Sequence, residues 1–326
     1  MSCLENWFRY RMPGASKAIG GASRHTVGGL AEGFAVAPFL NPEAGLMTIP
    51  AEYPLLEEYV VPRECSLPEA TTREEHRREV EMIVESLHGD TGKTVASRAI
   101  RVAGRIRLAD TFQNLCEAYP KAFVFMFSTP VTGTWIGASP ELLLRMDGDR
   151  ILTMSLAGTR PAGQGGEWDI KNREEQQMVT DYIRDTLTSR CGSAECGKPY
   201  TREAGTVEHI CTDITAPLPE TAFLKDILCE LSPTPALCGS DRTESMRIIK
   251  KGERHDREMY GGFCGPCGLD GETAMFVNLR SAKCSPDAIC VYAGGGITRL
   301  SDPDSEWHET EIKSQTIINK LKTSEV

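Results

Sequence analysis

The stretch AFVFMFSTPVTGTWIGASPELLLRMDGDRILTMSLA, residues 122–157, decides the fold class. It opens on an apolar run, Phe123–Phe127, of strand length and closed by Ser128-Thr129-Pro130, the pattern of a buried strand. A second run lies at Trp135-Ile136-Gly137. Leu142-Leu143-Leu144 and Ile151–Met154 then flank Asp147-Gly148-Asp149, a hairpin signal. The stretch reads as a β-meander.

Upstream, residues to about 70 are rich in Gly, Pro and Ala around short apolar runs (Phe34–Phe39, Leu46–Ile49), which predicts strands and loops. Thr71-Thr72 with Glu74 and Glu75 predicts a helix start. Val80, Ile83, Val84 and Leu87 then share one face until His88-Gly89. A turn at Gly89-Asp90-Thr91-Gly92 leads into β-leaning Lys93–Arg98, and Ala109–Tyr119 is helical. Downstream, helices are predicted from Glu167 to about Arg190, over Ala222–Leu231, and from about Ser305 to Lys322. Ala274–Arg280 and Ala288–Tyr292 read as a hairpin across Lys283–Asp287. No repeat or low-complexity tract appears, and only Gly163–Gly166 resembles a linker, so a single α+β domain over 1–326 is predicted.

Lys+Arg number 36 and Asp+Glu 46, a formal charge of −10, with 40% hydrophobic and 25% charged residues, as in a globular chain with a sizeable core. An acidic chain without a Lys/Arg run lacks the footprint of nucleic-acid binding. No run approaches the roughly 18 apolar residues of a membrane span. Glu5, Arg9 and Arg11 interrupt any export-signal core, so the cytosol is the expected address. The twelve cysteines, spread from Cys3 to Cys290, are expected to be reduced thiols. Cys264-Gly-Pro-Cys267 spells a redox motif but is flanked by Gly261-Gly262 and Leu269-Asp270-Gly271, which read as strand and turn rather than the helix start that would lower a thiol pKa. Cys191 and Cys196 form only a loose pair, and the six histidines are scattered singly, so no zinc site is read.

Three features carry chemistry. Glu175 lies on the stripe of Met178, Val179, Tyr182 and Ile183 and so points inward, where a carboxylate needs a cationic partner or a metal. Glu306, Glu309 and Lys313 fall at i, i+3 and i+7 on a line continuing to Ile317; a solvated face with a Glu309–Lys313 pair is the plainer account of it. Gly294-Gly295-Gly296 follow a strand, where glycines permit close approach of backbone to a ligand or a tight turn.

Gly137-Ala138-Ser139-Pro140-Glu141-Leu142-Leu143, Leu156-Ala157-Gly158-Thr159-Arg160, Pro233-Thr234-Pro235-Ala236-Leu237, Asp256-Arg257-Glu258-Met259-Tyr260-Gly261-Gly262, and Gly294-Gly295-Gly296-Ile297 with Glu306-Trp307-His308-Glu309-Thr310-Glu311-Ile312-Lys313 together resemble the chorismate-utilising enzymes. Among these the pattern is most similar to isochorismate synthases, in order from about residue 90 to 320. The resemblance implies a layered α+β fold of central sheets flanked by helices, Mg²⁺ dependence, and exchange of the C4 hydroxyl of chorismate for one at C2. It implies Lys93 as the base that activates water and Glu141 as the acid that protonates the leaving oxygen. Glu175 and Glu309 match the Mg²⁺ carboxylates, with Glu306 as a further ligand. Arg280, Lys313 and the amides of Gly294, Gly295 and Gly296 match substrate-carboxylate positions. Gly158, His209, Ala236, Leu237 and Tyr260 would line the pocket. By its sequence neighbourhood alone Lys93 reads as an exposed loop lysine, and His209 is also readable as a core histidine.

Ser232 before Pro-Thr-Pro and Gln176-Gln177 after the metal glutamate depart from the family pattern, and the part before residue 70 is short beside relatives. The alternatives implied are a salicylate synthase, an aminodeoxychorismate or anthranilate synthase component working with a glutaminase, and a chorismate-binding module without turnover. Isochorismate would serve menaquinone or siderophore biosynthesis, and the resemblance asks for no more than a monomer. No dinucleotide-binding G-x-G-x-x-G and no G-x-S-x-G elbow supports a dehydrogenase or hydrolase.

Overall fold

The computed structural model describes residues 4–55, 61, 65–87, 92–204, 207–218 and 223–324. Among these, strands form two large antiparallel sheets. The first runs Tyr53–Pro54, Ile19–Ser23, Asn6–Arg11, Phe123–Thr129, Gly133–Ser139, Ser281–Cys284, Ala288–Thr298, Lys93–Ala103. The second runs Glu195–Cys196, Val207–Pro217, Arg150–Pro161, Leu142–Asp147, Ala274–Val277, Phe263–Cys267, Gly33–Ala37, Met47–Ile49, Val27–Gly28, with Tyr200–Ala204 also on Val207–Pro217. The α+β reading is the observed one, and the strands before residue 70 enter both sheets.

The apolar run at Phe123–Phe127 does not alternate because its strand is covered on both faces. Phe123, Phe125 and Phe127 join the core between the sheets, whereas Val124 and Met126 join Phe112, Leu115 and Ile317 on the far side. Phe123 stacks on Phe276 of the opposite sheet at 4.1 Å between ring centroids, and Phe8 on Phe34 at 5.1 Å. Offset aromatic stacking fills the space between two pleated sheets with large apolar area.

The helices follow local signals. Thr72 caps Arg73–Ser86 with a full capping box to Glu75, and Val80 and Ile83 are its buried face. The predicted stop at His88-Gly89 and the turn through Thr91 lie outside the described residues. Asp169 caps Ile170–Cys191, which buries Val179, Ile183 and Leu187. Asp302 caps Pro303–Ile318, with Pro303 in the first turn, where a missing N–H costs nothing. A helix at Arg242–Gly252, capped by Asp241, was not foreseen; its apolar stripe is only Met246, Ile248 and Ile249 beside two lysines.

Two strand readings need correction. Residues 122–157 are not one meander: Phe123–Thr129 and Gly133–Ser139 pair in the first sheet, Leu142–Asp147 and Arg150–Pro161 in the second. The chain changes sheet at Pro140-Glu141. Likewise Ala274–Val277 pairs with Leu142–Asp147 and Phe263–Cys267, while the hairpin partner of Ala288–Thr298 is Ser281–Cys284. This second change of sheet occupies Asn278-Leu279-Arg280. The two crossings run side by side, Val277 N donating to Glu141 O (3.0 Å) and Ala138 N to Arg280 O (3.1 Å).

The Cys264–Cys267 motif lies in the strand Phe263–Cys267, and burial pushes the Cys264 thiol well up, the opposite of what redox catalysis needs. The described cysteines are free thiols. No described helix is long and apolar enough to cross a membrane.

Candidate active site

The sheet crossings, the strand pair Lys93–Ala103 with Ala288–Thr298, and the helices Ile170–Cys191 and Pro303–Ile318 enclose a cavity of about 300 Å³, at the lower end of the range for small-molecule sites. Every residue singled out by sequence reaches its wall: Lys93, Glu141 and Glu175; Gly158 and His209; Ala236, Leu237 and Tyr260; Arg280; Gly294, Gly295 and Gly296; Glu306, Glu309 and Lys313.

Glu141 occupies the first crossing. Its N–H donates to Ser139 Oγ at 3.3 Å, a local turn bond that serves where Pro140 has no donor. The side chain is 4% exposed, and burial pushes its carboxyl up to about 7 against the opposing pull of Lys93 and of the Thr234 hydroxyl, 3.5 Å from Oε1. Leu143 and Leu144 belong to the inter-sheet core, and Leu142 packs with Met154 and Leu156.

Arg280, at the second crossing, holds a left-handed backbone (φ 49°), a conformation that costs a non-glycine residue roughly 1–3 kcal/mol. His209 steadies it. Nδ1 of His209 lies 2.8 Å from Gly158 O and so donates there, leaving Nε2 to accept from Arg280 Nη2 at 3.3 Å. Burial, with the nearby Arg280 charge, holds the imidazole neutral, its pKa down at about 3. His209 is therefore a neutral bridge in the cavity wall. Gly158, at φ 69°, leaves room for Asn172, whose Oδ1 accepts from Thr159 N at 3.1 Å.

Lys93 begins its strand but is not an exposed loop lysine: it is 4% exposed, with Nζ 2.6 Å from Glu175 Oε1. That pair answers the inward carboxylate on the apolar stripe. Burial raises Glu175, yet the Lys93 charge and hydrogen bond outweigh it and hold the carboxyl low. Glu309 is held low mainly by Lys313, 2.6 Å away, which also donates to Gly294 O at 3.0 Å. The i,i+4 pair exists, but in the cavity wall. Burial pushes Glu306 up, and its Oε2 is buried without a hydrogen-bond partner. Side chains at the glycines would intrude here: a Cβ at Gly296 would collide with Lys93 Cε, and one at Gly295 would lie 3.1 Å from Glu306 Oε2. Because Ser281–Cys284 pairs no further than Val291, Gly294–Gly296 has, among the described residues, a strand partner only on its Lys93–Ala103 side, and its backbone lines the cavity on the other.

Among the described residues no three metal-ligating side chains converge on one point, since Glu175 and Glu309 each turn to a lysine. The donor set nonetheless suits a hard divalent cation: three carboxylates from two helices, one with a buried, unpartnered oxygen. Thr234, Lys171 and Asn172 were missed by sequence reading. Lys171 stands four residues before Glu175 on the same helix face, a spacing that would have found it. Gln176, noted as a departure, is buried beneath the site, its Nε2 within 2.7–3.0 Å of the hydroxyls of Ser155, Thr180 and Thr212.

A family profile described as chorismate binding enzyme matches residues 54–322. The isochorismate synthase EntC of Escherichia coli (strain K12) is 30% identical over 273 residues, covering 80% of this chain and 69% of that protein. Anthranilate synthase component 1 1 of Haloarcula marismortui is 29% identical over 273 residues, covering 79% of this chain and 55% of its own. The structure of MenF, the menaquinone-specific isochorismate synthase from Escherichia coli, superposes with a TM-score of 0.83 at 20% identity, over 97% of this chain and 89% of that one.

Proposed function

Since this chain belongs to the chorismate-binding enzyme family, we propose that it is an isochorismate synthase, converting chorismate to isochorismate with Mg²⁺. The observation that carries this reading is the carboxyl of Glu141, buried and poised at about 7, in the same cavity wall as the amine of Lys93. A proton donor and a proton acceptor bordering one small cavity are what exchange of one hydroxyl for another requires.

In this reading a water oxygen bonds to C2 of the ring, the two ring double bonds shift, and the C4–oxygen bond breaks. Lys93 takes the proton of the attacking water. Glu141 gives one to the departing oxygen, which leaves as water, so the reaction is an isomerisation. Before the step Lys93 must part from Glu175 and shed its ammonium proton. Glu141 suits the acid role because burial raises its carboxyl to about 7, so that it can carry a proton near neutral pH. Arg280, fixed by neutral His209, and the backbone of Gly294–Gly296 would bind the substrate carboxylates. Glu175 and Glu309, with Glu306 directly or through water, would hold Mg²⁺, whose chemistry is to neutralise a substrate carboxylate.

The test is incubation of the purified protein with chorismate and Mg²⁺, without ammonia, with products resolved by chromatography beside a chelator-treated control. Isochorismate approaching an equilibrium mixture, and abolished by chelator, is the expected result. Salicylate with pyruvate, or product only after ammonium is added, overturns it in favour of another branch of the family. Intact chorismate that still raises the Tm overturns turnover altogether.

A further inference from the structure

Lys93 and Leu237 stand on segments remote in sequence, and one side chain that does not face the cavity ties both to the turn that carries Tyr260. Arg257 is 2% exposed. Its Nη1 donates to Leu237 O at 2.7 Å, its Nη2 to Val95 O at 2.7 Å, and its Nε to Glu253 Oε2 at 2.9 Å. Its own carbonyl accepts from Tyr260 N at 2.8 Å. Glu253 Oε1 in turn accepts from Ser97 N at 2.8 Å, so the ion pair grips the strand of Lys93 at two residues, Val95 and Ser97. The ring of Phe39 covers the guanidinium at 4.4 Å.

Stability alone would not call for this arrangement. A buried ion pair is often no better than well-packed apolar side chains of the same volume. What a guanidinium fork adds is direction: it fixes two backbone carbonyls at set angles, which neither an apolar side chain nor a lysine does. Those carbonyls belong to the strand that presents the amine and the loop that forms the facing wall.

We propose that Arg257 is a positioning residue of the active site, setting where Lys93 stands relative to Leu237 and Tyr260 and hence to a bound chorismate. The proposal rests on the isochorismate synthase reading for its kinetic readout, and on the geometry alone for its second. Arg257→Lys keeps the charge and loses the fork. Leu115→Ala, in the helix Leu108–Ala118, supplies a control that removes core packing away from the Arg257 hub. At a temperature where circular dichroism shows both folded, R257K is expected to lose about 10–100-fold in kcat, the cost of misplacing a reacting group by about an ångström, while KM for chorismate changes less than about threefold. L115A should keep wild-type kcat.

The second readout is the acetylation rate of Lys93, followed by peptide mass spectrometry without substrate. It should rise severalfold in R257K and not in L115A. Wild-type kcat and wild-type Lys93 labelling in folded R257K overturn the proposal, and so does an equal response in L115A. Should R257K fail to fold, Glu253→Gln loosens the same hub from the other side; unchanged Lys93 labelling in folded E253Q is then the overturning result. A wild-type protein that makes no isochorismate defeats the functional reading, and the labelling comparison still decides the role of Arg257.

Discussion

The two ends of the cavity hold the same functional group in opposite states. At the sheet crossing, Glu141 has no cation within bonding distance among the described residues; burial wins and its carboxyl rises to about 7. Across the cavity, Glu175 and Glu309 are half-buried, and each has a lysine at 2.6 Å and is held low. Glu306, beside Glu309 and bonded to no lysine among the described residues, is raised again by burial. Desolvation penalises every buried carboxylate, and Coulomb attraction falls off with distance, so the presence of an amine at bonding distance decides the sign. One cavity thus offers a proton donor at one end and anionic ligands at the other.

The largest expected effect comes from removing the donor. Glu141→Gln keeps size and shape and should lower kcat by about 10²–10⁴-fold, the usual contribution of a positioned general acid, with thermal unfolding showing an intact fold. A loss below about tenfold would break the contrast between the two ends. Lys93→Ala should abolish turnover as fully, and unchanged turnover would remove the amine from the mechanism.

Stability offers a sharper test of the anionic end. Lys93→Met leaves Glu175 enclosed without its partner and should cost about 3 kcal/mol in chemical denaturation, the low end for a broken buried pair because the Glu175 side chain keeps 27% exposure. Adding Glu175→Gln should recover at least half of it. A double variant no more stable than K93M would mean that the lysine acts by packing rather than charge.

The pH dependences of the two ends should run in opposite directions. Glu141 binds its proton at about 7 when folded and near 4.5 when unfolded, so between those values the folded state carries the extra proton. Its stabilising contribution is complete below about pH 4.5 and is lost as pH rises through about 7, by something of order 3 kcal/mol. Glu175 and Glu309 bind protons more weakly folded than unfolded, so their contribution is present above the ordinary carboxylate range and is lost as pH falls below it. Denaturant midpoints measured from pH 4 to 8 should show a larger high-pH decline in the parent than in E141Q, which keeps the raised carboxyl of Glu306; a decline of equal size in both assigns it elsewhere. The smallest effect is expected from Thr234→Val. It removes a hydrogen bond that lowers the Glu141 carboxyl, so the alkaline limb of kcat should move up by less than about one pH unit. A downward move would contradict that assignment.

Much of this was legible residue by residue. The capping box at Thr72, the Asp147-Gly148-Asp149 hairpin and the three long helices follow from chemistry within a few residues of each position, and there the observed elements agree to within a few residues. What was illegible was sheet membership. Period-two alternation and apolar runs state that a segment is extended, not which strand accepts its hydrogen bonds. Residues 122–157 therefore read as one meander, and Asn278-Leu279-Arg280 as the end of a strand that begins at Ala274. The exposure of Lys93 was misread for a related reason: its cover comes from Glu175, Ser240 and Gly296, which are 82 to 203 residues away.

By itself the sequence determined which groups exist and which share a helix face. The i, i+3, i+7 spacing of Glu306, Glu309 and Lys313 puts them on one side of any helix they form, and the inward Glu175 demanded a partner. Only the tertiary structure decided that this partner is Lys93, that two sheet crossings set Glu141 and Arg280 side by side, and that one buried glutamate is a weak acid while two others stay charged. The physical reason is that periodicity is a property of a few neighbouring residues, whereas desolvation and charge pairing are set by whatever the fold brings within a few ångströms, however far away along the chain.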